Sequence, residues 1–219
     1  MADSDKLTKL RSQIDEIDDQ ILHMLARRQG LSREIVKQKV LGSDVFRPDR
    51  EASLLRNLIA SHQQVGAALI CALWRTIISA SIAEQKPDYL IAHSAKAKMI
   101  SQNHAAGFLN EQAFPDSQSA FNALKIGQAD CALIHQSELD EITAELGTRK
   151  GFVVISRTPL LVRSEDEAGY IIAKTLPNET GHDITMIRDA NGEIHLQEGY
   201  FASPLLPQQE IIGIFGQPL

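Results

Sequence analysis

The 219-residue chain has only two cysteines, Cys71 and Cys131, with no CxxC pair. Both fall in stretches patterned like a helix and a strand, so they read as reduced core residues rather than as a disulfide or a metal site. The seven histidines show no ligand spacing, and no metal is expected. A basic excess is missing as well. The formal net charge of −6 argues against a non-specific nucleic-acid binder, which needs a basic face for phosphates. No stretch approaches 18 uncharged apolar residues, and the opening MADSDKLTKL lacks an apolar signal core. No membrane partner and a cytoplasmic location are the expectation. Tandem repeats, low-complexity tracts and flexible linkers are absent too.

Helix breakers are scarce in the first part of the chain. Between residues 4 and 86 the only proline is Pro48, and the only glycines are Gly30, Gly42 and Gly66. Helical periodicity fills that segment. Leu7, Leu10, Ile14, Ile17, Ile21, Met24, Leu31 and Ile35 repeat every three or four residues, which predicts a long helix from Ser4 or Asp5 to about Leu41, ended by Gly42-Ser43. Pro48 opens a second helix to about Ser61, with Leu54, Leu55, Leu58 and Ile59 on one face. A third is predicted from about Gln64 to Lys86, with Ile70, Leu73, Trp74, Ile77, Ile78, Ser81 and Ile82 inward.

Arg28 interrupts the stripe of the first helix. The neighbours one turn away, Met24, Leu25, Leu31 and Ser32, include no carboxylate, so an anion from outside is a reasonable partner for a guanidinium on this face. Lys39 lies about 16 Å further along and about 20° round the same helix, close enough for both side chains to lean toward one small ligand. Arg11 is about 25 Å from Arg28 in the other direction and cannot reach that ligand within one chain. The long helix also outreaches the two shorter ones, about 55 Å against roughly 20 and 33 Å. A second protomer laid antiparallel is the simplest cover for its stripe, and it would bring Arg11 of one chain near the Arg28 to Lys39 half of the other.

After Pro87 the pattern changes to short β-like runs, YLIA, CALI, FVVI, YIIA, ITMI and IIGIF, alternating with polar helical patches and turns such as Asn191-Gly192. Two domains are therefore expected, residues 1–86 all-helical and residues 87–219 a separate α/β or α+β unit.

The helical part resembles the all-helical chorismate mutase family, often found fused to prephenate dehydratase. The likeness rests on L-R-x-x-I-D-x-I-D (10–18), L-x-x-R (25–28), R-E-I-V-K-Q-K-V (33–40), D-R-E (49–51) and I-I-x-x-S-I-x-x-Q (77–85). It implies the Claisen rearrangement of chorismate to prephenate inside an intertwined homodimer of three-helix chains, without a cofactor. By matching positions, Arg28 and the partner chain's Arg11 would hold the two substrate carboxylates, Lys39 and Gln85 would face the ether oxygen, and Glu51 the ring hydroxyl. Arg50 and Ser81 would complete the carboxylate and hydroxyl contacts. Arg47 stands where many relatives carry an aspartate, a variant of the substrate loop that bears on affinity. Two other readings fit the same cations: an isochorismate pyruvate-lyase on the same fold, and a non-catalytic regulatory protein that retained it.

In the second part, residues 113–134 read as strand, capped helix, glycine turn and strand, and are similar to half-domains of prephenate dehydratases and periplasmic-binding-type folds. Asp116, Ser117 and Ser119 supply the cap. In those dehydratases a Thr-Arg-Phe segment carries the chemistry. The stretch Ile155-Ser156-Arg157-Thr158-Pro159 does not reproduce it, and the glycine-rich opening is absent. A degenerate dehydratase-like domain without that activity is the expectation, with a structural role or one in sensing an amino-acid end product.

Overall fold

The computed structural model describes residues 2–38, 44–162, 168–204 and 206–219, with side chains from residue 5 onward. The chain divides into two units, residues 1–43 and 44–219.

Among the described residues the first unit holds α1 (Ala2–Gln38). Its predicted end at Leu41 and stop at Gly42-Ser43 lie outside the described residues, as does Lys39. The apolar stripe is uncovered: Ile14, Ile17, Met24 and Leu31 are each more than half exposed.

In the second unit, α2 (Pro48–Ser61) starts at its proline, whose missing N–H costs nothing there, and carries Asp49 and Glu51 in the first turn, where the helix dipole favours acids. Next, α3 (Ala67–Gln85) begins three residues later than its periodicity suggests and ends just before Lys86 and Pro87. By length and composition α3 is apolar enough to cross a membrane. Here its apolar residues are divided between faces, with Ile70 and Ile82 buried against the rest of the unit and Leu69 and Leu73 exposed. The inward placement expected for Leu73 is thus corrected. Leu73 is 48% exposed, whereas Ser79, Ser81 and Ile82 toward the C-terminal end of the helix are buried.

Among the described residues eight strands follow: β1 (Leu90–Ser94), β2 (Asn110–Phe114), β3 (Cys131–His135), β4 (Val153–Thr158), β5 (Gly169–Ala173), β6 (Asp183–Arg188), β7 (Ile194–Glu198) and β8 (Glu210–Gly216). Helix α4 (Lys98–Ala105) joins β1 to β2, and α5 (Ser117–Lys125) joins β2 to β3. They form one mixed sheet in the order β2-β1-β3-β5-β4-β8-β6-β7. β1 is parallel to β2 and β3, and β4 to β8; the remaining pairs are antiparallel. All six apolar runs became strands. The strand read at the start of 113–134 is the end of β2; the one that pattern missed, β7, is an edge strand, largely solvent-exposed and so without an apolar alternation to betray it.

One core contains Phe121, Leu124, Met186 and Phe215; another joins Phe46 and Ile82 to Ile91, Leu133, Val153 and Ile171. Residues 44–86 therefore share a core with the sheet, and the compact division falls at 43/44 rather than after residue 86. The α2 contact with β8 is tight: a Cβ added at Gly216 would lie 2.7 Å from the Ala52 Cβ.

Candidate active site

On α1, Arg11 is exposed and Arg28 half-buried, and Arg28 already has an interaction within the chain.

At the start of α2, Arg47 grips Asp49 through two hydrogen bonds, Nε to Oδ1 at 3.0 Å and Nη2 to Oδ2 at 2.6 Å. Asp49 is buried and also accepts from Asn178 Nδ2 at 3.1 Å. Arg50 is exposed on the same turn. Glu51 accepts two hydrogen bonds from Arg75 Nη1, 2.7 Å to Oε1 and 2.6 Å to Oε2, and both side chains are about seven-eighths buried. Sequence reasoning missed Arg75, which stands within the apolar run of α3, one turn before Ser79. The signal was there in part: a lone arginine in an apolar helix calls for a carboxylate, and the first turn of the neighbouring α2 offers Asp49 and Glu51.

Further along α3, Ser81 is buried and donates to the Ile77 carbonyl at 2.8 Å, while Gln85 Nε2 donates to the Ser81 carbonyl at 3.1 Å. These bonds fix both side chains along one edge of the helix. Both residues have further interactions within the chain.

Glu51 also borders a cavity of about 20 Å³, lined in addition by His104, Arg157 and Thr158. It has room for a water molecule rather than a substrate. His104 is fully enclosed, and burial, with the Arg75 charge beside it, holds its imidazole well below the ordinary histidine value, so the ring is neutral. In the sheet, Asp116 Oδ1 caps α5 by accepting from the Ser119 N–H at 2.7 Å, and Ser117 Oγ donates to Glu141. The cap read from sequence is present in the Asp116 carboxylate, while the Ser117 hydroxyl is bonded to Glu141 beyond β3.

The structure thus brings Glu51 to Arg75, Arg47 to Asp49, and Ser81 to Gln85. Arg11 and Arg28 stay on the separate unit formed by α1.

Residues 10–86 match the family model described as chorismate mutase type II. A bifunctional chorismate mutase/prephenate dehydratase of Pseudomonas aeruginosa is 30% identical over 94 residues, covering 40% of this chain and 26% of that protein. The protein of the same description from Escherichia coli strain K12 is 28% identical over 157 residues, covering 61% of this chain and 40% of the relative. The latter alignment covers more of the chain than residues 10–86 account for, so the similarity continues into the sheet. The chain thus matches between about a quarter and two fifths of the length of these curated relatives. A solved structure described as a novel type of quorum quenching acylases aligns with 58% of this chain and 94% of its own, at 15% identity and a TM-score of 0.37, too low to carry an argument.

Proposed function

We propose that the chain is a chorismate mutase, rearranging chorismate to prephenate in aromatic amino-acid biosynthesis. The observation that carries this reading is the joint presence of Arg11, Arg28, Lys39, Arg47, Arg50, Glu51, Ser81 and Gln85 inside the segment that matches the family. A pericyclic rearrangement needs no nucleophile. The protein has to hold an extended dianion in its folded, chair-like form and to stabilise the negative charge that grows on the ether oxygen as the C–O bond breaks. In this proposal Arg28 and the partner's Arg11 clamp the two carboxylates, aided by Arg50, while Lys39 and Gln85 donate to the ether oxygen. Glu51 and Ser81 recognise the ring hydroxyl. Each fixed donor aimed at the developing charge is worth about 3 kcal/mol of barrier. Arg47, tied to Asp49, shapes the loop that opens α2 and through it substrate affinity.

The proposal includes a homodimer in which the bare stripe of α1 is covered by a second copy. The exposed Ile14, Ile17, Met24 and Leu31, together with Leu69 and Leu73 of α3, support it, because so much aliphatic surface is costly in water. A two-fold interface would cover equivalent stripes on both chains at once. The sheet is proposed to be a dehydratase-like accessory domain without dehydratase activity. Two free cysteines fit a reducing, cytoplasmic setting.

Mixing two inactive variants tests the composite site. In a heterodimer of Arg11→Ala with Arg28→Ala chains, one of the two sites recovers both arginines, so random re-pairing restores about a quarter of wild-type activity. If both arginines served one site from the same chain, no activity would return.

A further inference from the structure

The Glu51 carboxylate is held in place by groups that lead away from the family's motif residues. Arg75 Nη1 donates to both Glu51 oxygens, and Arg75 Nε donates to Ser79 Oγ at 3.2 Å. Ser79, wholly buried, donates in turn to the main-chain carbonyl of His104, at the end of α4 in the sheet region, at 2.9 Å. Phe46 fills the remaining side, its ring centroid 5.9 Å from the Arg75 guanidinium carbon and edge-on to the His104 ring at 5.3 Å. Arg75 is thereby fixed on three sides by groups that cannot easily move. A carboxylate on the first turn of a 14-residue helix would otherwise sample several rotamers.

We infer that Arg75 is a positioning residue for Glu51, and that the sheet region, through the His104 carbonyl and Ser79, sets the orientation of that carboxylate. The inference rests on the reading of Glu51 as the residue that recognises the ring hydroxyl. A hydroxyl contact of this kind persists from bound substrate through the rearrangement, so its loss raises KM more than it lowers kcat. Arg75 acts only through Glu51, so its removal adds nothing once Glu51 is gone.

The test uses the full-length chain with chorismate as substrate. Arg75→Gln is expected to raise KM about 10-fold with kcat changed less than about 3-fold, and the Glu51→Gln/Arg75→Gln double variant to match Glu51→Gln alone. Arg75→Lys, which keeps the charge but loses the second donor group, should recover part of the affinity. Ser79→Ala should shift KM in the same direction by a smaller factor, and it serves as the test if Arg75→Gln does not fold as judged by Trp74 fluorescence. Multiplicative losses in the double variant, or wild-type kinetics in Arg75→Gln or Ser79→Ala, would overturn the inference. Absence of prephenate formation by the unmodified chain would instead overturn the reading of the site itself, and this inference with it.

Discussion

Arg47 and Asp49, two residues apart at the start of α2, form a bidentate ion pair in which the arginine is 44% exposed and the aspartate 6%. Burial by itself would push the Asp49 carboxyl up. The hydrogen bonds from Arg47 and Asn178 outweigh it and hold the group below the usual carboxylate range. The unfolded chain therefore binds more protons between the two values, and stability climbs with pH there. The contribution is complete above the ordinary value of about 3.9 and is lost as pH falls through the folded one. Asp49→Asn should cost roughly 1.5–3 kcal/mol at neutral pH and should flatten the acid limb of a urea-unfolding series. An unchanged acid limb would place the proton uptake elsewhere.

Gln85 gives a prediction about activity. An amide donates to an ether oxygen at any pH, whereas a carboxylate at the same place has no proton to offer until it is neutralised. Gln85→Glu should therefore lose most of its activity at neutral pH and regain it on acidification toward the ordinary glutamate value of about 4.3. Initial rates of chorismate loss between pH 4.5 and 8 would check this, since the wild-type profile should show no such rise in acid.

β8 crosses β4 with no space for a side chain at its middle. A Cβ on Gly213 would lie 2.5 Å from the Val154 Cβ and 2.6 Å from its carbonyl oxygen, and backbone cannot step aside as a flexible side chain can. Gly213→Ala is predicted to destabilise the fold by roughly 1–3 kcal/mol, seen as a lowered midpoint in urea. An unchanged midpoint would mean that the strands separate freely at this point.

The two thiols should differ sharply. Cys131 is wholly buried on β3, and burial, partly opposed by a hydrogen bond with Tyr89, pushes its thiol up to about 12. Cys71 on α3 is half-buried, with burial and the Glu51 charge raising its thiol more modestly. A chromogenic disulfide at pH 8 should modify one cysteine slowly in the native chain and the second only after denaturation. Rapid reaction of both would contradict the burial of β3.

Much of the fold was legible because its elements carry a periodic or chemical signal: the stripes on α1 and α2, Pro48 at a helix start, the apolar runs of six strands and the Asp116 cap. The edge strand β7 does not, since a strand paired on one side only can be polar nearly throughout. Among the candidate site residues, Arg28 stood out in the sequence as an intruder in an aliphatic stripe. The Glu51–Arg75 and Arg47–Asp49 pairs did not. A periodicity records which face a residue shares, whereas an ion pair depends on rotamers and on which helix lies opposite. The sharing of one core by residues 44–86 and the sheet was hidden for a related reason: apolar stripes say that a face is covered, without saying by what.

The central claim is tested most directly by supplying the purified full-length chain with chorismate and, separately, with isochorismate, and following prephenate and pyruvate. The account predicts prephenate from chorismate, no pyruvate from isochorismate, and at least about a 100-fold loss of turnover in Arg28→Ala with the dimer intact. Pyruvate release from isochorismate, or prephenate formation undiminished in Arg28→Ala, would contradict it.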